Sequence, residues 1–256
     1  MDREDDQCYF IVASAIIEIV TPLFRKRLQK YIQSRGFGSL QDFINDPSVR
    51  HVLFHLRHRN TPCCTETAKC VNNPTLPLNH NQWKLLYRIN PELDHDLCHC
   101  IFEANPVLLE KLDINVAGLI LSNCCILGAV EEYAINTLLQ FKMDYLNYNT
   151  DGTLRELEFN GLWTDMVTYI LQVDPSKQDD LTRIENRPMD EPLCTKYNYL
   201  CLFETDLPNQ LDQLDAAGIL QKVNNFSQRL FTCQCSHQIS SSNDTVPQQE
   251  RKRRGN

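Results

Sequence analysis

The sequence predicts an all-α protein: a helical bundle with a helical block ahead of it and a short helical hairpin behind it. Three observations carry that prediction. Apolar residues recur at the spacing of a helix face through most of the chain, residues that start helices stand in front of those runs, and no stretch alternates apolar and polar residues as a half-buried strand does. The longest patterned stretch runs from Leu112 to Tyr148. Leu112, Val116, Leu119, Ile120, Asn123 and Leu127 share one face, and Val130, Ala134, Leu138, Phe141, Tyr145 and Tyr148 share another. The two runs meet at Leu127-Gly128, which predicts an antiparallel helical hairpin.

With 256 residues and 42% hydrophobic content, the chain can bury one main core with smaller appendages. A formal charge of −8 argues against a general polyanion binder, because affinity for nucleic acid comes largely from Lys and Arg neutralising phosphates; a local basic patch stays open. The start, MDREDD, lacks the basic head of a secretory signal. The apolar run Phe10 to Val20, interrupted by Ser14 and Glu18, falls short of the ~20 residues of a membrane span. The expectation is a cytoplasmic or nuclear protein with no membrane partner. In a reducing compartment its 12 cysteines read as metal ligands or as buried apolar groups.

Residues 1–59 are expected to form an N-terminal helical segment. Its first block, residues 7–34, carries Phe10, Ile11, Ile16, Ile17 and Ile19 before Pro22, and Phe24, Leu28, Tyr31 and Ile32 after it. Pro22 has no N–H for the preceding turn, so a kink or break is expected there. Arg25, Lys26, Arg27 and Lys30 read as an anion-binding face or as the solvated side of an amphipathic helix, and the solvated side is favoured. Gly36 to Gly38 stops the helix. Ser39 opens a short segment with Leu40, Phe43 and Ile44, and Asp46-Pro47 is a cap and first-position pair for a helix to about His58. One side of that helix is Val49, Val52, Leu53 and Leu56. The other carries Arg50, His51, His55, Arg57, His58 and Arg59, a weak signal for phosphate contact without interleaved aromatics.

From Thr61 the composition changes to CCTETAKC (Cys63 to Cys70), and HDLCHC (His95 to Cys100) follows further on. Zinc takes four N or S ligands in a tetrahedron, usually as two short-range pairs that the fold brings together. Cys64 with Cys70 is one such pair, and Cys98 with Cys100 the other, with Cys63 and His95 as alternates. The spacings differ from those of a standard finger, and the competing reading is reduced cysteines packed in loops.

Between these groups Asn79 is an expected N-cap, and Trp83, Leu86 and Tyr87 form an apolar stripe that places Trp83 against the central hairpin. After the hairpin, residues 149–152 read as a turn. Thr153 and Glu156 form a capping box for a helix whose buried face is Phe159, Leu162, Trp163, Met166, Val167 and Ile170. Residues 60–173 thus read as a bundle of roughly four helices carrying a Cys/His insert. Residues 174–195, polar and holding Pro175, Pro188 and Pro192, read as a linker. Residues 196–232 read as a helical hairpin with Leu207, Leu211, Leu214, Ala217 and Leu220 in register, and 233–256 as a disordered tail ending in the basic cluster Arg251 to Arg254.

The succession LNHNQWKLLY (Leu78 to Tyr87), LDINVAGLIL (Leu112 to Leu121), a helix running into a short motif, then FNGLW (Phe159 to Trp163) resembles the HEPN domain of the type found in the DAZ-interacting zinc-finger E3 ligase. The resemblance covers roughly residues 60–173, and the Cys63-Cys64 and Cys98-x-Cys100 groups resemble those of an expanded invertebrate branch. It implies a helical bundle that dimerises and, in active branches, cuts RNA without metal. The motif there is Arg, a polar residue, and a His further along the same helix. His supplies an acid/base near neutral pH, and Arg a fixed cation for the phosphorane. Here Lys142 stands for the Arg, Met143 for the polar residue with Asp144 after it, and Asn147 or Tyr148 for the His. Asn does not titrate, Tyr has a reference pKa of about 10, and loss of a general acid/base costs about 10²- to 10⁴-fold.

The expectation is therefore a non-catalytic HEPN-like interaction module, homodimeric, with RNA or signalling proteins as partners. The alternative is a ribonuclease that recruits groups such as His55 or His58. A membrane-associated role for the segment Phe10 to Arg27 is a third and weaker reading. Residues 197–220 also resemble the opening helices of a caspase-recruitment domain, but an ordinary hairpin through which protein partners dock is the favoured reading.

Overall fold

The computed structural model describes residues 3–58, 63, 78–91, 98–147, 153–190, 192, 193 and 197, all within one compact unit, Met1–Asn209. Cys64, Cys70, His95, Tyr148, the turn at 149–152, the hairpin at 196–232 apart from Tyr197, and the tail at 233–256 lie outside the described residues.

The described chain is mainly helical, as its apolar spacing predicts. Its spine is one long helix: α1 (Arg3–Ala15), a π-helical turn (Ile16–Val20) and α2 (Thr21–Ser34). Pro22 does not end it. The π turn lies just ahead of the proline ring, and both the backbone N–H and the hydroxyl of Thr21 donate to the Ile16 carbonyl, the latter at 3.0 Å. Thr21 thus gives the Ile16 carbonyl two donors in the turn just ahead of Pro22, which has no N–H to give. At the far end Gly36 adopts φ 81°, Gly36 N–H donates to Gln33 O at 3.0 Å and Phe37 N–H to Ile32 O at 3.2 Å. That double bond is a Schellman stop, and its left-handed residue favours glycine.

This spine is long and apolar enough to cross a membrane by length and composition, which corrects the expectation of an apolar run too short to do so; 72% of its most apolar window is buried within the protein itself. Tyr9, Phe10, Val12, Ile16, Leu23, Phe24 and Leu28 are all core residues. Residues 3–58 lie in the same compact unit as the rest of the described chain. Their apolar faces are covered by helices from later in the chain.

The basic run on the spine is solvated in part: Lys26 and Lys30 are exposed, while Arg25 and Arg27 are half-buried. Arg25 donates to the Leu112 carbonyl at 2.7 Å, Lys26 pairs with Asp174 at 3.2 Å, and Arg27 forks onto Glu131, one contact at 2.9 Å. Three successive residues thus tie the spine to three later points of the chain.

After the Schellman stop, Ser39 caps α3 (Leu40–Asn45) through Asp42 N–H, and Asp46 caps α4 (Pro47–Arg57) through Ser48 and Val49 N–H. Next comes α5 (His80–Leu86), opened by a reciprocal capping box between Asn79 and Gln82. It gives way to β1 (Tyr87–Ile89), which pairs antiparallel with β2 (Phe102–Ala104) in the register Tyr87↔Ala104, Arg88↔Glu103, Ile89↔Phe102. This small sheet overturns the expectation of no strands. Asn105 fixes the switch from helix to strand: its side-chain amide donates to Lys84 O at 2.9 Å and its N–H to Leu86 O at 2.8 Å, satisfying the carbonyls at the end of α5.

The expected hairpin is present as α6 (Ile114–Cys124), capped by Asp113, and α7 (Ala129–Lys142), followed by a second π turn, Met143–Asn147. It is antiparallel: Gly118 lies against Leu139, and further along α6 Ser122 hydrogen-bonds Asn136 at 2.7 Å. Ala134, Leu138 and Leu139 are buried, but Val130, expected on the buried face, is exposed. Then α8 (Glu156–Val173) buries Phe159, Leu162, Trp163, Met166 and Ile170. Its N-cap is Arg155 rather than Thr153, so the expected capping box is not its start. Instead Leu154 N–H donates to Asp5 O at 3.1 Å and pins the approach to α1.

The stretch expected to be a linker holds α9 (Gln178–Glu185), with Leu181 and Ile184 buried. It is launched by a short 3₁₀ turn, Pro175–Lys177, capped by Asp174 through Ser176 N–H. Beyond it Arg187 forks onto Glu18 at 2.5 and 2.8 Å, the Tyr197 hydroxyl also reaches Glu18, and the Tyr197 ring stacks on Phe10 at 6.1 Å. Around the spine, α2 packs on α6 and α3, α1 packs on α8 and α9, and α7 lies between α6 and α8.

Candidate functional site

Two places carry chemistry-bearing residues. The first is the polar side of α4 where it meets the turn before β2. Asp46 starts α4, so His51 and His55 project one above the other, their rings 4.7 Å apart. A 3₁₀ turn, His99–Ile101, brings His99 to the same place, its ring 5.0 Å from that of His51. Cys63 completes the group, its sulfur 3.3 Å from His51 Nε2. The donor atoms of His51, Cys63 and His99 lie within 4.8 Å of one another, and so do those of Cys98, His99 and Cys100. Cys98 Sγ is 3.4 Å from His99 Nδ1, and Cys100 Sγ is 3.7 Å from His99 Nε2.

His99 is buried, and burial, with the charges of His51, Arg50 and His55 adding to it, pushes its pKa down. The neutral ring so favoured is the form that binds a metal. Arg50 donates to Phe102 O at 2.6 Å, so its cation is fixed beside the cluster. Behind the cluster lies an aromatic wall. Phe54 stacks near His58 at 4.7 Å, Trp83 meets Phe102 at 5.0 Å and Tyr87 at 4.4 Å, and the Tyr87 hydroxyl donates to Ile44 O at 2.6 Å. Trp83 therefore packs against α4 and the strands.

Of the sequence-predicted ligands, the structure brings Cys98 and Cys100 together around His99, and sets the alternate Cys63 in the second group that shares His99; Cys64, Cys70 and His95 lie outside the described residues. His51 and His99 were not among the expected ligands. The signal for His51 was present as a His pair at i, i+4 on a cysteine-flanked helix, a spacing that puts two ligands on one face. His99 was hidden by its neighbours, because a Cys-His-Cys run draws attention to the sulfurs.

The second place is the end of α7. Lys142 is buried, 2% exposed, at the junction with the π turn. Met143 opens that turn, and Asp144 is exposed and accepts from Gln140 at 2.7 Å. Asn147 ends the described segment. Lys142, placed to stand for the Arg of the motif, thus has its side chain inside the bundle.

His55 and His58, the fallback acid/base groups of the ribonuclease reading, sit in the His/Cys cluster and its aromatic wall. Cys124 and Cys125, at the turn of the hairpin, are pushed up by burial, Cys125 to about 12, so at neutral pH they are thiols.

No family model matches the chain, and no curated protein or solved structure matches it either.

Proposed function

We propose that this protein is a non-catalytic HEPN-like interaction module of the cytoplasm or nucleus that pairs with a second copy of itself and engages RNA or signalling proteins. The observation that carries this reading is the burial of Lys142 at the end of α7, followed by a π turn without a histidine. A cation inside the bundle cannot meet a phosphorane, and Met143, Asp144 and Asn147 offer no group that titrates near neutrality. Support for pairing comes from the start of α7, where Ile126, Val130 and Tyr133 are 80, 64 and 62% exposed. Clustered large apolar side chains at a surface mark contact sites.

Incubation of the full chain with single-stranded RNA in chelator is expected to leave the RNA intact, for the wild type and for Lys142→Ala alike. Robust metal-independent cutting that vanishes in Lys142→Ala overturns the reading in favour of a ribonuclease. Light scattering on the eluting protein is expected to give a dimer mass that falls to that of a monomer in Val130→Glu or Tyr133→Asp, with unchanged helical circular dichroism. A monomeric wild type overturns the pairing.

A further inference from the structure

We propose that His51, Cys63 and His99 bind one zinc ion, with the fourth ligand supplied by one of the two cysteines that flank His99. The geometry fits. Zinc–nitrogen bonds of 2.0–2.1 Å and zinc–sulfur bonds of about 2.3 Å place tetrahedral N and S ligands roughly 3.5 Å apart. His51 Nε2 and Cys63 Sγ stand 3.3 Å apart, and the two sulfurs beside His99 stand 3.4 and 3.7 Å from its ring nitrogens. Within each triad, His51–Cys63–His99 and Cys98–His99–Cys100, the donors stay within 4.8 Å, and because the triads share His99, side-chain rotation of one flanking cysteine is what brings it onto the common ion.

The donor chemistry selects the metal. Two imidazoles and two thiolates are the ligand set of a closed structural zinc site, and hard cations such as Mg²⁺ and Ca²⁺ prefer oxygen. Two thiolates also cancel the 2+ charge, so a filled site adds no net charge to a largely buried place.

Cys98 and Cys100 divide two roles between them, because they face opposite nitrogens of one ring. The cysteine on the metal-bound side is the fourth ligand. The other accepts the N–H of the opposite nitrogen and holds the ring in its tautomer, the part a carboxylate or carbonyl plays at other zinc histidines. The site joins α4, the chain at Cys63 and the turn that leads into β2, so its role is to clamp these three together. This inference stands apart from the HEPN reading and from pairing.

The test uses the full chain, purified with reductant, stripped of metal and reloaded. Zinc is expected to bind at roughly one equivalent per chain. Co²⁺ in its place is expected to give visible ligand-field bands and a thiolate charge-transfer band. His51→Ala, Cys63→Ser and His99→Ala are expected to lose both stoichiometric zinc and the cobalt spectrum, while Cys64→Ser and Cys70→Ser keep them. Of Cys98→Ser and Cys100→Ser, the ligand change weakens the charge-transfer band, and the orienting change leaves it but lowers zinc affinity about 10- to 100-fold. Cys63→His serves where a variant loses its helical circular dichroism, since it keeps a ligand: bound cobalt with a weaker charge-transfer band supports the site. Failure of the reloaded wild type to hold stoichiometric zinc overturns the proposal. So does a wild-type cobalt spectrum in His51→Ala, Cys63→Ser or His99→Ala, or loss in Cys64→Ser and Cys70→Ser instead.

Discussion

Gly118 sets how closely the two helices of the hairpin approach. A Cβ there would lie 2.6 Å from both terminal methyls of Leu139 and 2.9 Å from the carbon that bears them, so Leu139 could not escape by a small rotation. Gly118→Ala gains helix propensity of about 1 kcal/mol but overpacks the contact, and the overpacking wins. The expected net result is a loss of roughly 1–3 kcal/mol in chemical denaturation. Glu18 makes a second prediction at this scale. The Arg187 guanidinium holds its carboxyl below the ordinary value, against burial and with help from the Tyr197 hydroxyl. A lowered folded pKa means stability that is complete above the unfolded carboxylate value of about 4.3 and is lost as pH falls through the folded one. Glu18→Gln should therefore flatten the decline of unfolding free energy at acid pH, and an unchanged profile would count against the pairing. Neither residue announces itself in the sequence. Gly118 reads only as a weak spot in a helix, and the partner of Glu18 is a residue of the stretch that reads as linker.

The elements whose starts are encoded by local chemistry are legible. Ser39, Asp46, Asn79 and Asp113 each cap the helix they precede. Asn79→Ala, which removes the side-chain half of its capping box and leaves the backbone N–H that donates to Gln82, should cost about 1 kcal/mol. Two kinds of element escape such reading. Strands of three residues carry too little pattern, and Tyr87 continues the helical stripe of Trp83 and Leu86 although Asn105 has already ended the helix. Helix α9 offers only Leu181 and Ile184 in a polar stretch, yet Asp174-Pro175 repeats the cap signature of Asp46-Pro47 and could have marked it. Both apolar residues are about 1% exposed. Leu181→Ala is therefore expected to cost about 2–5 kcal/mol, measured by thermal and chemical unfolding, far beyond the effect of a change in a linker.

At the scale of the molecule, bundle class and the central hairpin followed from apolar spacing, because that spacing is a local property of the chain. The His/Cys cluster was legible only in part. It draws ligands from three separated stretches, and no local pattern says that His51 on α4 should meet His99. The burial of Lys142 was likewise invisible, since a terminal lysine on a helix usually extends its amine to water. The arrangement as a whole makes its own prediction: if one ion clamps three stretches, chelator should lower the thermal midpoint of the wild type and leave that of Cys63→Ser unmoved.

The π turn in the spine acts as a phase shifter. Each residue of an α-helix advances the side chains by roughly 100°, so the one extra residue of a π turn rotates everything beyond it by that angle. The half before it can then face α8 and α9 while the half after it faces α3 and α6, and a single rod serves two sides of the protein. Deleting one residue, such as Ile17, should therefore leave Leu23, Phe24 and Leu28 on their partners, whereas the full sequence wound as an unbroken α-helix would turn them away. Regularity itself would be the defect.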